Sequence, residues 1–270
     1  MYLTGAQWEL MKTTPITPPR RNRRTATIAI FVVGFLFVGL AAVAVGSEIY
    51  LRKRVSDCMA QSMTYSIGSP VEIEMSRKPM VWQLIDGKTP YITISTVEDR
   101  VGDAEGMSMD LRLNDVESLS DGPVANTVQS SSAEVRWTAQ GILATLQQQG
   151  VLAVVSSVVP NEQDQTLNVQ IVGAILGVTI KPSVANGALD LEVVEANILG
   201  FRIPREIPQM IIGTIGSQLA EFPLDMQAKD VAVTNDGIVL QLEGGYTEIE
   251  RVDPADADIP SELEEACTLV

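Results

Sequence analysis

The chain has 270 residues, a formal net charge of −15, no histidine and two cysteines. From Val55 to the C-terminus it holds 11 Lys or Arg residues against 32 Asp or Glu residues, and this acidic balance excludes nucleic acid as a ligand. Without histidine, the usual general base and the commonest metal ligand are missing. We therefore predict a protein that is not an enzyme, with no catalytic residues, no metal site and no cofactor. The alternative is an enzyme that works through paired carboxylates, for which the many acids offer candidates but no motif that selects any.

An uncharged apolar stretch from Thr25 to Gly46 predicts a transmembrane helix. A helix of this length reaches about 33 Å, enough to cross the hydrocarbon core of a bilayer. Five basic residues precede the stretch and three follow it, which favours a cytoplasmic N-terminus. We predict a single-pass plasma-membrane protein with a cytoplasmic basic tail at 1–24, a transmembrane helix at 25–46, an extracytoplasmic domain at 47–248 and an acidic tail at 249–270.

A cleaved signal peptide is the alternative interpretation of the apolar stretch. Ala42, Val43 and Ala44 include the small residues that a signal peptidase accepts. The apolar region of a cleaved signal is usually only about 7 to 15 residues long, however, so the greater length here favours an uncleaved signal anchor.

The two cysteines lie at opposite ends of the external region, at Cys58 and Cys267. In an oxidising compartment such a pair more often forms a bridge than remains as two thiols. We therefore predict a disulfide between them, and the alternative is two unpaired cysteines in mobile segments.

The first half of the external region is predicted to form strands around one short helix. After the span, the helix continues outward to about Met63, because residues 47–63 contain no Pro or Gly. Val71 to Met75 alternates apolar and acidic residues, the period of a half-buried strand. A short apolar helical turn at Pro79 to Lys88 follows, closed by Gly87. Two further strands are predicted at 91–96 and 107–113, and a polar loop at 121–132.

The second half begins with a short strand at 133–137 and a helix that Thr138 can cap, running to Gln149 with one apolar face. Four strands are then predicted at 151–159, 166–172, 176–182 and 188–194, with Asn186-Gly187 as a hairpin turn between the last two. Pro208 suits the first turn of a helix that continues to about Ala220. A final hairpin turns at Asn235-Asp236-Gly237, and the whole order of elements predicts an α+β fold.

The segments Val71 to Lys88, Val135 to Gln149 and Glu221 to Gly244, in this order, resemble the LmeA-type phospholipid-binding family of actinobacterial cell-envelope proteins. The resemblance implies a curved antiparallel sheet wrapped around helices, as in tubular lipid-binding proteins, and a role in the synthesis of mannosylated envelope lipids. One departure concerns the residue after Pro79: the family often has an aromatic there, whereas this chain has Met80.

Three segments, 80–85, 139–146 and 210–219, have larger apolar faces than a thin layer of helices on the sheet needs to bury. Their Gly and Met residues suit a groove better than a tightly filled core. We predict that acyl chains of a phospholipid contact Trp82, Leu146, Ile211 and Ile215, and that Arg202 or Arg205 lies near the mouth and binds the phosphate. The alternative is that these residues are ordinary core and the domain is a fully packed scaffold that binds a membrane glycosyltransferase or another protein and has no lipid ligand.

Overall fold

A computed structural model describes residues 23–148, 153–171, 175–204 and 222–251, with the side chains of 23–38 and Ser66 left out. The chain divides into two compact units, 1–47 and 48–270. The helices are α1 (Arg23–Ile67), α2 (Met80–Asp86) and α3 (Ala139–Gln148), and the strands are β1 (Val71–Met75), β2 (Lys88–Thr96), β3 (Arg100–Val101), β4 (Ala104–Glu105), β5 (Met107–Ser118), β6 (Val124–Thr138), β7 (Val155–Asn161), β8 (Thr166–Ile171), β9 (Leu176–Ala185), β10 (Ala188–Ile198), β11 (Phe201–Arg202), β12 (Gln227–Val233), β13 (Gly237–Gly244) and β14 (Thr247–Glu250).

The first unit contributes the N-terminal part of α1 to the described residues. Leu40, Val43 and Val45 are exposed, and the hydroxyl of Ser47 donates a hydrogen bond to the carbonyl of Ala44. Within the described part of the chain, no helix meets the length and apolarity needed to cross a membrane. The predicted span at 25–46 falls largely on side chains outside that part, so it stays a prediction.

The second unit contains two large open antiparallel sheets and a third, two-stranded sheet formed by β3 and β4. The larger has the strand order β1-β2-β5-β6-β13-β12, with β14 also paired to β6, and the smaller has the order β11-β10-β9-β8-β7. The tip of the β9–β10 hairpin joins the two sheets, because the backbone N–H of Ala228 in β12 donates to the carbonyl of Gly187 at 2.7 Å. Gln165, in the β7–β8 turn, adds two further hydrogen bonds to the backbone of Val233.

The first core lies on the apolar face of the larger sheet. Alternating residues of β1, β2 and β5 supply it, and Ile94 at its centre is fully buried. The C-terminal turns of α1 cover this face through Met59, Met63 and Ile67. The outward helix predicted after the apolar stretch is therefore confirmed to Ile67, and its role is to pack on the sheet.

The second core lies between α3 and the smaller sheet. Ile142 is buried there, with Leu143 and Leu146 packed against the same cluster. The hydroxyl of Thr138 accepts a hydrogen bond from the N–H of Gly141 at 3.0 Å, which confirms the predicted cap. Gly141 also permits a close approach, since a Cβ there would lie 2.2 Å from the carbonyl oxygen of Glu105.

The α+β class and the antiparallel pairing are confirmed, but the single curved sheet of the prediction is replaced by two large open sheets and the small β3–β4 pair. The polar loop predicted at 121–132 is wrong for most of its length, because 124–138 is the 15-residue strand β6. One face of this strand is open to water, where polar residues such as Ser130 and Ser132 fit opposite Asn114 and Arg112 of β5. Strand β14 spans the predicted boundary between the domain and the acidic tail.

Candidate functional site

An open cleft of about 560 Å³ lies where α1 meets β1 and β2, entirely within the second unit. We call it the basic cleft. Its walls come from α1, β1, β2 and Arg77, which follows β1. The lining residues are Ile49, Arg52, Lys53, Ser56, Ile73, Glu74, Met75, Arg77 and Tyr91.

Arg52 positions the elements around the cleft. Its guanidinium donates hydrogen bonds to the carbonyls of Ser76 at 2.7 Å and Lys78 at 3.0 Å, and forms an ion pair with Glu48 at 2.8 Å. These contacts satisfy backbone acceptors just after the end of β1. Because its donors are already engaged, Arg52 acts mainly as a structural link between α1 and the segment that follows β1.

Glu48 extends this link to α2. One carboxylate oxygen binds Arg52, and the other accepts a hydrogen bond from the backbone N–H of Met80 at 2.7 Å. The residue before the helix, Pro79, provides no side-chain cap. The Glu48 carboxylate, which belongs to α1, therefore caps the first turn of α2 in place of a residue next to that helix in sequence.

Lys53 and Arg77 are the two exposed cations of the cleft. Within the described residues, neither side chain forms a hydrogen bond or an ion pair. Glu74 also lines the cleft but makes no ion pair with either cation in that part of the structure. Two positive charges are thus available to an anion that enters from solvent.

The floor of the cleft is apolar and one wall is aromatic. Ile73 is buried and Met75 half-buried, and both belong to the edge of the first core. The ring of Tyr91 is held in place by the guanidinium of Arg112, which lies 4.1 Å from the ring centroid. The cleft can therefore accept a molecule that has an anionic group next to a hydrocarbon portion.

Helix α2 is fixed beside the cleft by buried polar contacts. The amide of Gln83, which is 5 % exposed, donates to the carbonyl of Lys78 at 2.6 Å and accepts from the hydroxyl of Thr89 at 2.8 Å. At the C-terminal end, the ammonium of Lys78 binds the Asp86 carboxylate at 2.5 Å. This hydrogen bond and that from the Lys88 N–H lower the pKa of Asp86 below its ordinary value.

A second cleft, of about 270 Å³, lies on the polar face of the larger sheet. Asp110, Glu134 and Glu243 line it, and the guanidinium of Arg136 pairs with both Asp110 and Glu134. Arg112 contributes a cation, but the three carboxylates make this cleft less suited to an anion than the basic cleft.

The sequence comparisons agree with a ligand of this chemistry. The profile of the LmeA-like phospholipid-binding family matches residues 42–243, which include the whole basic cleft. The chain belongs to this family. Uncharacterized proteins from two Mycobacterium tuberculosis strains and from Mycobacterium bovis are each 27 % identical to it over 253 residues, 92 % of this chain and 69 % of theirs. No solved structure matches the chain.

The lipid contacts predicted from the sequence fall in separate parts of this LmeA-like protein. Trp82 lies on α2 and is 61 % exposed, whereas Leu146 lies on α3 and packs against the second core. Arg202 lies on β11, where its 83 % exposed side chain pairs with Glu195 at 3.2 Å. The structure does not bring these three together, and their contact with lipid stays a prediction.

The other predicted positions lie outside the described residues. These are Arg205, Ile211 and Ile215, together with the helix predicted from Pro208 and the cysteine Cys267. Cys58 is described and is not a free thiol. The disulfide stays a prediction because its second member is not described.

Sequence reasoning missed Lys53 and Arg77 as ligand-binding candidates. The cluster at 52–54 was interpreted only as part of the charge bias around the apolar stretch, and Arg77 follows a strand with no motif around it. The signal that could have found them is their contrast with the strongly acidic remainder of the external region.

Proposed function

We propose that this chain is a membrane-anchored extracytoplasmic protein that binds phospholipid without catalysing a reaction, with the lipid phosphate in the basic cleft. The observation that carries the proposal is that Lys53 and Arg77 line a cleft with an apolar floor and have no anionic partner among the described residues. Membership of the LmeA-like phospholipid-binding family supports the ligand class.

Charge and shape both favour a phospholipid headgroup in this cleft. A phosphodiester supplies the missing negative charge, and Arg77 can donate two parallel hydrogen bonds to it. Ile73 and Met75 then cover the glycerol and the first methylenes, each worth about 0.8 kcal/mol when buried. Pockets for small ligands are typically about 300–1,000 Å³, so the cleft suits a headgroup with the start of the acyl chains.

The cellular setting is part of the same proposal. Thr25 to Gly46 anchors the chain in the plasma membrane with the N-terminus in the cytoplasm, as the flanking charges favour. The resemblance to the LmeA-type family of envelope proteins is what points to a role in the biogenesis of mannosylated envelope lipids. A membrane glycosyltransferase is the partner class that such a role implies.

The test is to purify the full chain from membranes in mild detergent and to measure bound phospholipid by native mass spectrometry and lipid extraction. The double variant Lys53→Gln/Arg77→Gln removes both free cations, and we expect it to lower the phospholipid recovered per protein about tenfold or more, since each charged hydrogen bond contributes about 1.5–3 kcal/mol. Arg202→Gln is the matched control, because Arg202 is an exposed cation elsewhere.

Two outcomes would contradict this assignment. If Arg202→Gln loses the lipid and the double variant keeps it, the phosphate lies near β11 and not in the basic cleft. If the wild-type chain carries no phospholipid but co-purifies with a membrane glycosyltransferase, the scaffold alternative replaces lipid binding.

A further inference from the structure

Helix α2 presents an exposed apolar surface. Four of its seven residues are large, apolar and exposed: Val81 by 47 %, Trp82 by 61 %, Leu84 by 58 % and Ile85 by 70 %. A single exposed apolar side chain is ordinary on a protein surface, but four within two helical turns form a patch that marks an interaction site. We call these four residues the α2 patch.

Contacts on the opposite side and at both ends of α2 keep the α2 patch facing solvent. Met80 is only 3 % exposed and Gln83 is buried with two hydrogen bonds, so the opposite side of α2 is fixed against the domain. Glu48 binds the first turn and the Lys78–Asp86 pair binds the last. These contacts fix the orientation of α2, so the four side chains of the patch stay exposed on the described part of the domain and are available to a partner.

Charge indicates the nature of that partner. Segment 76–88, which contains α2, and the α1 residues 48–54, which are hydrogen-bonded to it, contain six basic and two acidic residues. One of the six, Lys88, also pairs with Glu117 of β5 at 3.4 Å. The remaining external residues, 55–75 and 89–270, contain eight basic and 31 acidic residues. Basic residues next to exposed Trp, Leu and Ile side chains are typical of a protein surface that enters an anionic bilayer interface.

The position of α2 along the chain favours the same partner. Glu48, whose carboxylate binds the first turn of α2, follows the end of the predicted span at Gly46 by two residues. Two residues reach at most about 7 Å, so an anchored chain has its α2 contact point close to where it leaves the bilayer. Trp82 is also the residue type that prefers the boundary between headgroups and acyl chains.

We propose that the α2 patch inserts into the outer surface of an anionic phospholipid bilayer, with Lys53 and Arg77 facing the headgroups. The proposal rests on the membrane anchoring in the proposed function and adds a second, interfacial contact. It also connects the two sites, because Arg77 lines the basic cleft and precedes α2 by three residues.

The test uses the full chain reconstituted in vesicles of phosphatidylcholine and phosphatidylglycerol whose acyl chains carry bromine. The variant Trp8→Phe/Trp137→Phe leaves Trp82 as the single tryptophan. An inserted helix lies about 5–10 Å into the interface, so we expect brominated lipid to lower Trp82 emission about twofold or more relative to unbrominated lipid.

Two further proteins make the result specific. A chain with all three tryptophans replaced by Phe and with Phe201→Trp carries its only tryptophan at a 77 % exposed site on β11, and we expect no quenching there.

Leu84→Glu/Ile85→Glu changes two exposed residues and should fold, yet it should abolish the quenching of Trp82 without changing the phospholipid recovered per protein. If Trp137→Phe prevents folding, the difference between wild type and Trp82→Phe gives the same measurement.

The outcomes separate this inference from the proposed function. A chain that floats with the vesicles but shows no quenching of Trp82 overturns insertion and leaves anchoring intact. A chain that does not float overturns both. If Trp82 is unquenched and Leu84→Glu/Ile85→Glu dissociates a dimer, the α2 patch is instead a contact between two copies of the chain.

Discussion

The helices α2 and α3 each carry five apolar residues, among seven residues in α2 and ten in α3, and their surroundings are opposite. On α3, Ile142 is buried and Leu143 and Leu146 pack against the second core. On α2, the large apolar side chains of the patch are exposed, and the buried side chains are Met80 and the polar Gln83. Apolar content alone therefore did not decide which helix would be packed. Helix α3 packs on the apolar face of the smaller sheet, whereas α2 is fixed by hydrogen bonds from α1 and β2.

The largest expected effect is a difference in the free energy of unfolding between two matched Ile→Ala truncations, one on α3 and one on α2. Ile142→Ala removes a buried side chain from the second core, and we expect the free energy of unfolding to fall by about 2–5 kcal/mol. Ile85→Ala truncates the same side chain on α2, where it is 70 % exposed, and should change stability by no more than about 0.5 kcal/mol. Urea unfolding of the full chain in mild detergent measures both. Equal losses would mean that α2 is packed in the same sense as α3.

An intermediate effect is expected at the link that holds α2. Arg52→Met keeps the aliphatic stem but removes the donors to the carbonyls of Ser76 and Lys78 and the pair with Glu48. We expect a loss of about 1.5–3 kcal/mol and faster amide hydrogen exchange in α2, because hydrogen bonds to charged groups contribute this much. Arg54→Met is the control, since Arg54 bonds only the Tyr50 hydroxyl among the described side chains. Unchanged exchange in Arg52→Met would show that α2 does not depend on α1.

The smallest effect concerns pH at the end of α2. The Lys78 ammonium, followed by the Lys88 backbone N–H, lowers the pKa of Asp86 in the folded state. The resulting stabilisation is present above the ordinary carboxyl pKa of about 3.9 and is lost as the pH falls through the lowered value. A carboxyl-carbon NMR titration should place Asp86 below that ordinary value and should move it upward in Lys78→Met. A titration that is the same in both proteins would mean that the pair does not persist in solution.

Much of the fold followed from local sequence patterns. Apolar alternation located β1, and the Thr138 cap located the start of α3. Asn186 and Gly187 both have positive φ, at 53° and 78°, as a two-residue hairpin turn of type I′ requires. Each of these signals depends on neighbouring residues along the chain, and this is why it could be interpreted without a structure.

The extent of β6 and the basic cleft could not be found in this way. Ser130 and Ser132 are polar because they lie on the side of the larger sheet that faces water, and a polar run of this kind is also typical of a loop. Lys53 and Arg77 are far apart in sequence, and they line one cleft only because α1 packs across the edge of the sheet.

The sequence by itself determined most of the element types, the acidic balance of the external region and the family to which its segment order belongs. The tertiary structure decided which of two apolar helices is buried, where the strands divide into two sheets, and which cations share a cleft. The physical reason is that secondary structure and turns depend on contacts between near neighbours, whereas burial and charge clustering depend on contacts between residues far apart in the chain.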